Sequence, residues 1–352
     1  MKKTQFNIKQ LVRKNILHLK PYSSARDEFT DFDQDMVFLD ANENPYENGV
    51  NRYPDPQQKS LKKIIASQRK VSETNILLGN GSDEVLDLIF RAFCEPGIDN
   101  IITMPPTYGM YKVLANINNV EEQQVWLGEN FQPDVEAILA AENSDSKLLF
   151  ICSPNNPSGN LIEQKRIEEL LDRFSGLVII DEAYIDFTDR KSWVDGILRY
   201  PNLIVTQTLS KAYGLAGIRL GICYASEEII DVLNKIKPPY NVNELTQQRA
   251  LQRVIEEDQI KDEVSAIIKG RIQLEEALST INFVEKIFKS DANFILVRVD
   301  DANKRYDQLI KEGIVVRNRS TQPLCENTLR FTVGTKEENE KLIQVLMSIS
   351  KS

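Results

Sequence analysis

The stretch LIVTQTLSKAYGLAGIRLG, residues 203–221, decides the reading of this chain. Leu203, Ile204 and Val205 form the short apolar, β-branched run of a buried strand. Lys211 follows just after it, flanked by Thr208, Ser210, Tyr213, Gly214 and Gly217, with Arg219 beyond. That is an unusual place for a solvated cation. Two hydroxyls and a planar guanidinium suit a phosphate, and a lysine amine that can shed its proton condenses with carbonyls. The combination predicts a phosphorylated aldehyde cofactor, pyridoxal 5'-phosphate. On this stretch alone, a loop lysine on a charged surface stays open as the alternative.

Other parts lie upstream. Residues 176–180 (GLVII) read as a fully apolar strand ending at Asp181, Glu182, Ala183 and Tyr184. A carboxylate at the end of a buried strand is costly unless a cation meets it, and a protonated pyridine nitrogen is such a cation. Residues 147–152 (KLLFIC) read as another strand, followed by the turn SPNNPSG at 153–159. Either X-Pro bond there could be cis, and Asn156 would then aim an amide donor into a site. Residues 101–104 form a strand ending at Pro105, Pro106, Thr107 and Tyr108. The prolines hold Tyr108 stiffly, either flat against a planar ring or as an ordinary core tyrosine. Residues 75–78 lead through Gly79, Asn80, Gly81, Ser82 and Asp83 into a periodic helix at Val85, Leu86, Leu88, Ile89, Ala92 and Phe93. Its start offers free backbone donors to an anion, or is simply capped by Ser82. It is not a Walker A loop, and Glu84 in the sixth position spoils G-x-G-x-x-G.

Strands alternating with helices, with polar carboxyl ends, predict an α/β chain with a mostly parallel sheet. Ligands gather beyond the carboxyl ends of such strands, where Asn156, Asp181 and Lys211 all fall. A strand at 218–224, a helix at 227–236, a stiff break at 238–241 and one long charged helix from 246 to 280 follow. After residue 281 the pattern becomes a smaller α/β unit, with strands at 293–297, 314–317 and 329–333, a helix at 303–312 and a last helix. Arg317 and Arg330 there either ion-pair at an edge or clamp an acid. At the other end, an amphipathic arm breaks at Pro21 before Tyr22, and residues 40–45 (DANENP) and 51–56 (NRYPDP) are rigid loops that carry Asn42 and Tyr53.

With 352 residues, 41% hydrophobic and 27% charged, the chain has the make-up of a globular protein of roughly two domains. No apolar run approaches the ~20 residues of a membrane span. The basic N-terminus lacks the apolar core of a secretory signal, so a cytoplasmic protein is expected. A net charge of -9 argues against nucleic acid as a partner. Cys94, Cys152, Cys223 and Cys325 lie far apart in apolar runs, as core residues of a reducing compartment do. His18 is the sole histidine and reads as structural, so no metal is expected and a Ser-His-Asp machine is disfavoured.

In order and spacing, LDANENPY at 39, AFCEPG, PPTYGMY, CSPNNPSG, DEAY, TLSKAYGLAGIRLG and LRFTVGT at 329 resemble one family. It is that of the pyridoxal-phosphate aminotransferases of the aspartate aminotransferase fold (fold type I), and within it the histidinol-phosphate group. The resemblance spans nearly the whole chain. It implies a large domain with a mostly parallel seven-stranded sheet plus a smaller α/β domain. Residues 1–40 would be an N-terminal arm joining the small domain, 41–280 the large cofactor-binding domain, and 281–352 the small C-terminal domain. Lys211 would be the Schiff-base lysine and general base, Asp181 the partner of the pyridine nitrogen, and Tyr184 and Asn156 the contacts of the ring's phenolic oxygen. Tyr108 would stack on the ring and, with Asn156, border the substrate. The cofactor phosphate would take Gly81, Ser82 and Asp83 backbone donors, Thr208, Ser210 and Arg219, and Tyr53 from the other subunit of a homodimer. Arg317 and Arg330 would serve the substrate phosphate and the acid of glutamate, with Tyr22, Asn42 and Tyr240 at the rim. Ser158, Tyr213 and Glu47 stand where the family commonly has Thr, Phe and Gly.

The implied activity is reversible amino transfer between L-histidinol phosphate and 2-oxoglutarate, giving imidazole-acetol phosphate and L-glutamate, in L-histidine biosynthesis. The alternatives within the fold are an aromatic or broad-specificity aminotransferase and a threonine-phosphate decarboxylase. A non-catalytic amine-sensing regulator would carry an added DNA-binding domain, for which the arm is too short and the chain too acidic.

Overall fold

Where Leu, Val and Ile run without polar interruption, the chain forms strands covered on both faces. The computed structural model describes residues 6–21 and 37–351. Among them β1 (Ile76–Asn80), β2 (Asn100–Thr103), β3 (Glu121–Gln124), β4 (Ser146–Cys152), β5 (Leu177–Asp181), β6 (Leu203–Thr208) and β7 (Leu220–Ala225) make one seven-stranded sheet. Its order is β1-β7-β6-β5-β4-β2-β3. β7 runs antiparallel to both neighbours, and the other pairs are parallel.

The helices of this unit are α1 (Lys14–Leu17), α2 (Lys59–Arg69), α3 (Gly81–Phe93), α4 (Met110–Ile117), α5 (Val135–Ala141), α6 (Gln164–Arg173), α7 (Glu227–Asn234) and α8 (Glu244–Val254). Side chains alternate across a strand, so the sheet feeds two cores. Leu78, Ile102, Leu149, Val178 and Val205 pack with α2, α6 and α8. Leu77, Ile101, Leu148, Ile179 and Ile204 pack with α3, α4 and α7.

The smaller unit has β8 (Val284–Ile287), β9 (Phe294–Val299), β10 (Arg317–Asn318) and β11 (Thr328–Thr332), antiparallel in the order β10-β11-β9-β8. α9 (Glu257–Leu278), α10 (Ala302–Lys311) and α11 (Lys336–Lys351) cover it around Leu274, Ile295, Val297, Leu329 and Phe331. A further cluster joins the two units: Tyr184, Phe187 and Ala212 pack on Ile260 and Val264 of α9 and on Ala292 and Phe294.

Several expectations are corrected. The described part of the arm is fastened to the large unit, not the small one. Ile8, Val12 and Ile16 recur at helical spacing and fill the α3 core, and Arg13 N–H donates to Ala92 O at 3.0 Å. The single helix from 246 to 280 is two helices, α8 and α9, broken at Ile255 and Glu256. No Gly or Pro marks the break. It is held by Arg253, whose buried guanidinium pairs with Glu256 and Glu263 and donates to Tyr213 O. The strand at 314–317 shrinks to β10. β3 and β8 are polar strands with half-exposed or exposed side chains, so they carry no apolar signature. Pro106, Pro154 and Pro157 follow cis bonds. All four cysteines are free and buried. Among the described residues no helix is long and apolar enough to cross a membrane.

Candidate active site

Lys211 stands on the loop joining β6 to β7. The loop is closed at its base, where Leu209 N–H donates to Leu220 O at 3.1 Å and Thr208 pairs with Gly221. Because β7 runs backwards, Arg219, which precedes it, arrives at the edge where β1 and β6 end. Two glycines make this possible. A Cβ on Gly221 would lie 2.2 Å from Ser82 N, and one on Gly81 (φ +77) would lie 2.6 Å from Arg219 Nη2. At Gly221 the obstacle is backbone, which only glycine clears, and at Gly81 the positive φ itself favours glycine. The start of α3 therefore lies directly against the Arg219 strand, and Gly81 N–H donates to Arg219 O at 3.0 Å. The first N–H groups of α3 have no carbonyl one turn back.

One cavity of about 130 Å³ collects the expected residues: Ser82, Asp83, Tyr108, Asn156, Asp181, Tyr184, Thr208, Ser210, Lys211 and Arg219 all line it. Thr208 Oγ1 is 3.0 Å from Ser210 Oγ and accepts from Ser210 N–H at 3.1 Å. Arg219 donates to Ala216 O at 3.3 Å and approaches Asp83 at 3.6 Å. Tyr108 donates its hydroxyl to Asp83 Oδ1 at 3.1 Å.

Asp181 is fully enclosed at the end of β5. Burial pushes its carboxyl up to about 6, opposed by hydrogen bonds from Tyr111 and Ala183. Tyr111 O–H donates to Oδ2 at 2.8 Å and Ala183 N–H to Oδ1 at 3.2 Å. Glu182, one residue on, points to the other side, where Ser192 O–H, Trp193 N–H and Gln207 Nε2 donate to it. Asn156 Oδ1 accepts from Arg330 Nη1 at 2.5 Å, so Arg330 reaches across from β11 to the cavity wall. Asn156 Nδ2 is 3.5 Å from Tyr184 O–H. Lys211 Nζ lies 5.9 Å from the centre of the Tyr184 ring. Burial, then Arg330 and Arg219, lower the pKa of this amine, against Asp181 and Asp83. The net lowering makes the amine easier to deprotonate than a solvated lysine, as a nucleophile requires.

These residues fit a phosphorylated pyridine aldehyde. A helix start, two hydroxyls and a guanidinium suit its phosphate. Asp181, a buried acid that no described cation meets, suits a protonated ring nitrogen.

Not every expected residue joins the cavity: Gly81 does not line it, and its N–H is taken by Arg219 O. Asn42 and Tyr53 line a separate pocket with Val50 and Leu245, and Tyr240 stacks on Tyr53 with ring centres 4.5 Å apart. Arg317 sits across the sheet from Arg330 and is exposed. Tyr22 lies outside the described residues.

Tyr111 and Arg319 escaped the sequence reading. Tyr111 follows Tyr108 by three residues, the spacing that makes helix neighbours, and that spacing could have found it. Its ring stacks on Phe150 at 4.8 Å and meets Tyr108 edge-on at 5.6 Å. Tyr111→Phe removes a donor from the Asp181 carboxylate, so the pKa of Asp181 should rise above about 6. A raised acid stabilises the fold below its unfolded pKa, and that gain is lost as pH rises through the folded value. The pH dependence of thermal stability in cofactor-free protein should therefore shift to higher pH in the variant; an unshifted profile contradicts the hydrogen bond's role.

Residues 31–346 match the family described as aminotransferase class I and II. The chain is 64% identical to the histidinol-phosphate aminotransferase of Flavobacterium johnsoniae, across 97% of this chain and 98% of that one. The crystal structure of the histidinol-phosphate aminotransferase from Clostridium acetobutylicum matches with a TM-score of 0.79 at 29% identity, covering 86% of this chain and 91% of that one. That of Sinorhizobium meliloti, in complex with pyridoxal-5'-phosphate, shares the fold with a TM-score of 0.78 at 24% identity, over 85% and 83% of the two chains.

Proposed function

The chain belongs to the class I and II aminotransferases, and on that premise we propose that it is a histidinol-phosphate aminotransferase. It moves an amino group between L-histidinol phosphate and 2-oxoglutarate with pyridoxal phosphate as cofactor. The observation that carries this is the meeting, in one cavity, of a depressed lysine amine, a buried acid and a phosphate cradle, with Arg330 reaching its wall.

When bound, the cofactor supplies an aldehyde that takes up the substrate's amino group and a protonated ring that draws electrons from the adjacent carbon. Lys211 would take the proton from the substrate carbon that bears the amino group, as general base, and deliver it as general acid to the cofactor's C4′ carbon. Asp181 holds the proton on the ring nitrogen. Tyr184 and Asn156 donate to the phenolic oxygen, and Tyr108 covers the ring face. Ser82, Asp83, Thr208, Ser210 and Arg219 would hold the cofactor phosphate, with the partner subunit's Tyr53, while Gly81, its N–H given to Arg219 O, turns the chain into α3 beside it. Arg317 and Arg330 hold the substrate's phosphate or glutamate's acid, and Tyr22, Asn42 and Tyr240 border the entrance.

A homodimer accounts for Tyr53 and Asn42 lying apart from the lysine of their own chain. The large exposed apolar side chains beside them, Leu39, Tyr46, Val50 and Leu245, support a second copy there. In the domain division that goes with this reading, residues 41–280 carry the cofactor and 281–352 form the small domain, with α9 lending Leu274 and Leu278 to the small domain's core. The free, buried cysteines support a reducing, cytoplasmic compartment.

Protein loaded with pyridoxal phosphate is expected to form glutamate from histidinol phosphate and 2-oxoglutarate, more slowly from tyrosine or phenylalanine, and to release no carbon dioxide from threonine phosphate. Loaded protein that leaves histidinol phosphate untouched would remove the substrate assignment and keep the family.

A further inference from the structure

The strand pair β10–β11 gathers three arginines on one side. Arg317 stands directly opposite Arg330. Pairing continues past β10, since Arg319 N–H donates to Thr328 O at 2.9 Å. Alternation along a strand puts Arg317 and Arg319 on one face and Asn318 on the other. Asn318 turns to Asn303 of α10, at 2.8 Å. Leu329 and Phe331, on either side of Arg330, fill the small unit's core. The arginine face is thus turned away from that core and toward the large unit, where Arg330 meets Asn156.

Among the described residues none of these three guanidiniums has an acidic partner. The buried Nε atoms of Arg319 and Arg330, and the Ser320 hydroxyl beside them, make no hydrogen bond. Like charges opposite one another on paired strands repel, and a buried unpaired charge is costly. Burial and then Arg317 lower the pKa of Arg319; burial and then Arg319 hold that of Arg330 down to about 10. Cations kept together at such a cost, with unused donors, call for a ligand carrying more than one negative charge.

We propose that Arg319 is a third member of the substrate's phosphate clamp and sets its preference for a phosphate dianion over a carboxylate. The proposal rests on the reading of histidinol phosphate as substrate. A carboxylate carries one charge on two oxygens and is met by one fork. A phosphate monoester carries about 1.5 to 2 charges on three oxygens, enough to engage a third guanidinium. The sequence signal was available: in Arg317-Asn318-Arg319 the two charged residues share a strand face.

The test compares holoenzyme with its Arg319→Gln and Arg319→Lys forms, in which the bound cofactor occupies its own phosphate cradle. In Arg319→Gln, KM for histidinol phosphate should rise about tenfold to a hundredfold, as for a lost charge-assisted hydrogen bond. The turnover number and KM for glutamate should each change less than about threefold, and lysine should restore part of the loss. Inorganic phosphate, followed by thermal shift or as an inhibitor, should bind Arg319→Gln about tenfold more weakly. Unchanged phosphate affinity with unchanged KM for histidinol phosphate would overturn the proposal. So would an equal loss for both substrates with a lowered melting temperature, which marks a merely structural arginine. If phosphate binding depends on Arg319 but histidinol phosphate is not transaminated, the anion site stands and the substrate reading falls.

Discussion

Lys211→Ala should leave a folded protein that has lost the visible absorbance of its lysine-linked cofactor and more than about 10⁴-fold of its turnover. The lysine sits on the cavity wall with its pKa lowered by burial and by two arginines. No other described lysine lines this cavity, so no neighbour can replace its amine. The loss should therefore be in kcat, with cofactor binding weakened but not abolished, because the phosphate cradle is untouched. Spectra of the purified variant with added pyridoxal phosphate, followed by single-turnover rates with histidinol phosphate, measure both parts. Retained absorbance and turnover would reject the assignment.

Asp181→Asn should have effects of opposite sign in the loaded and empty protein. In the empty protein, burial raises the carboxyl to about 6, so its charged form is a cost. That cost is absent below the unfolded value near 4 and grows as pH rises through about 6. Two units correspond to about 3 kcal/mol, so the empty variant should melt several degrees above wild type near pH 8, by about half that margin near pH 5, and match it only below about pH 4. In the loaded protein Asp181 gains a cationic partner, and breaking a buried pair costs about 3–5 kcal/mol. Loaded variant should then melt below wild type and turn over about 10²- to 10³-fold more slowly. Differential scanning of both forms across pH separates the two effects. A variant less stable than wild type in both states would mean that Asp181 is a structural acid.

The main architecture could be read from residue order because each buried strand ends abruptly in chemistry: Cys152 before Ser153, Ile180 before Asp181, Leu209 before Ser210. What escaped has identifiable physical causes. The polar strands β3 and β8 lack the apolar runs by which strands are read. The α8–α9 break contains neither Gly nor Pro and depends on Arg253 finding two carboxylates, Glu256 in the break itself and Glu263 in the next helix. Asp181 and Glu182 are adjacent acids that face opposite sides of the sheet, and only the fold shows that Glu182 is already satisfied by three donors. Arg319 shares a strand face with Arg317 by alternation, but it lies just past a strand of two residues, and only the pairing with Thr328 shows that the extended backbone reaches it. The placement of Ile8, Val12 and Ile16 depended on which exposed stripe their faces would meet, and residue order alone does not supply that partner.

The closed base of the β6–β7 loop makes the amine and the anion-binding guanidinium travel together. Leu209 and Leu220 pin the two ends of one ring of chain that bears both Lys211 and Arg219. A residue inserted or deleted inside that ring would displace both groups against α3, which has no slack because Gly221 already touches its backbone. Variation in length is therefore barred there, whatever freedom individual side chains keep, and the two functions can be lost together in a single event.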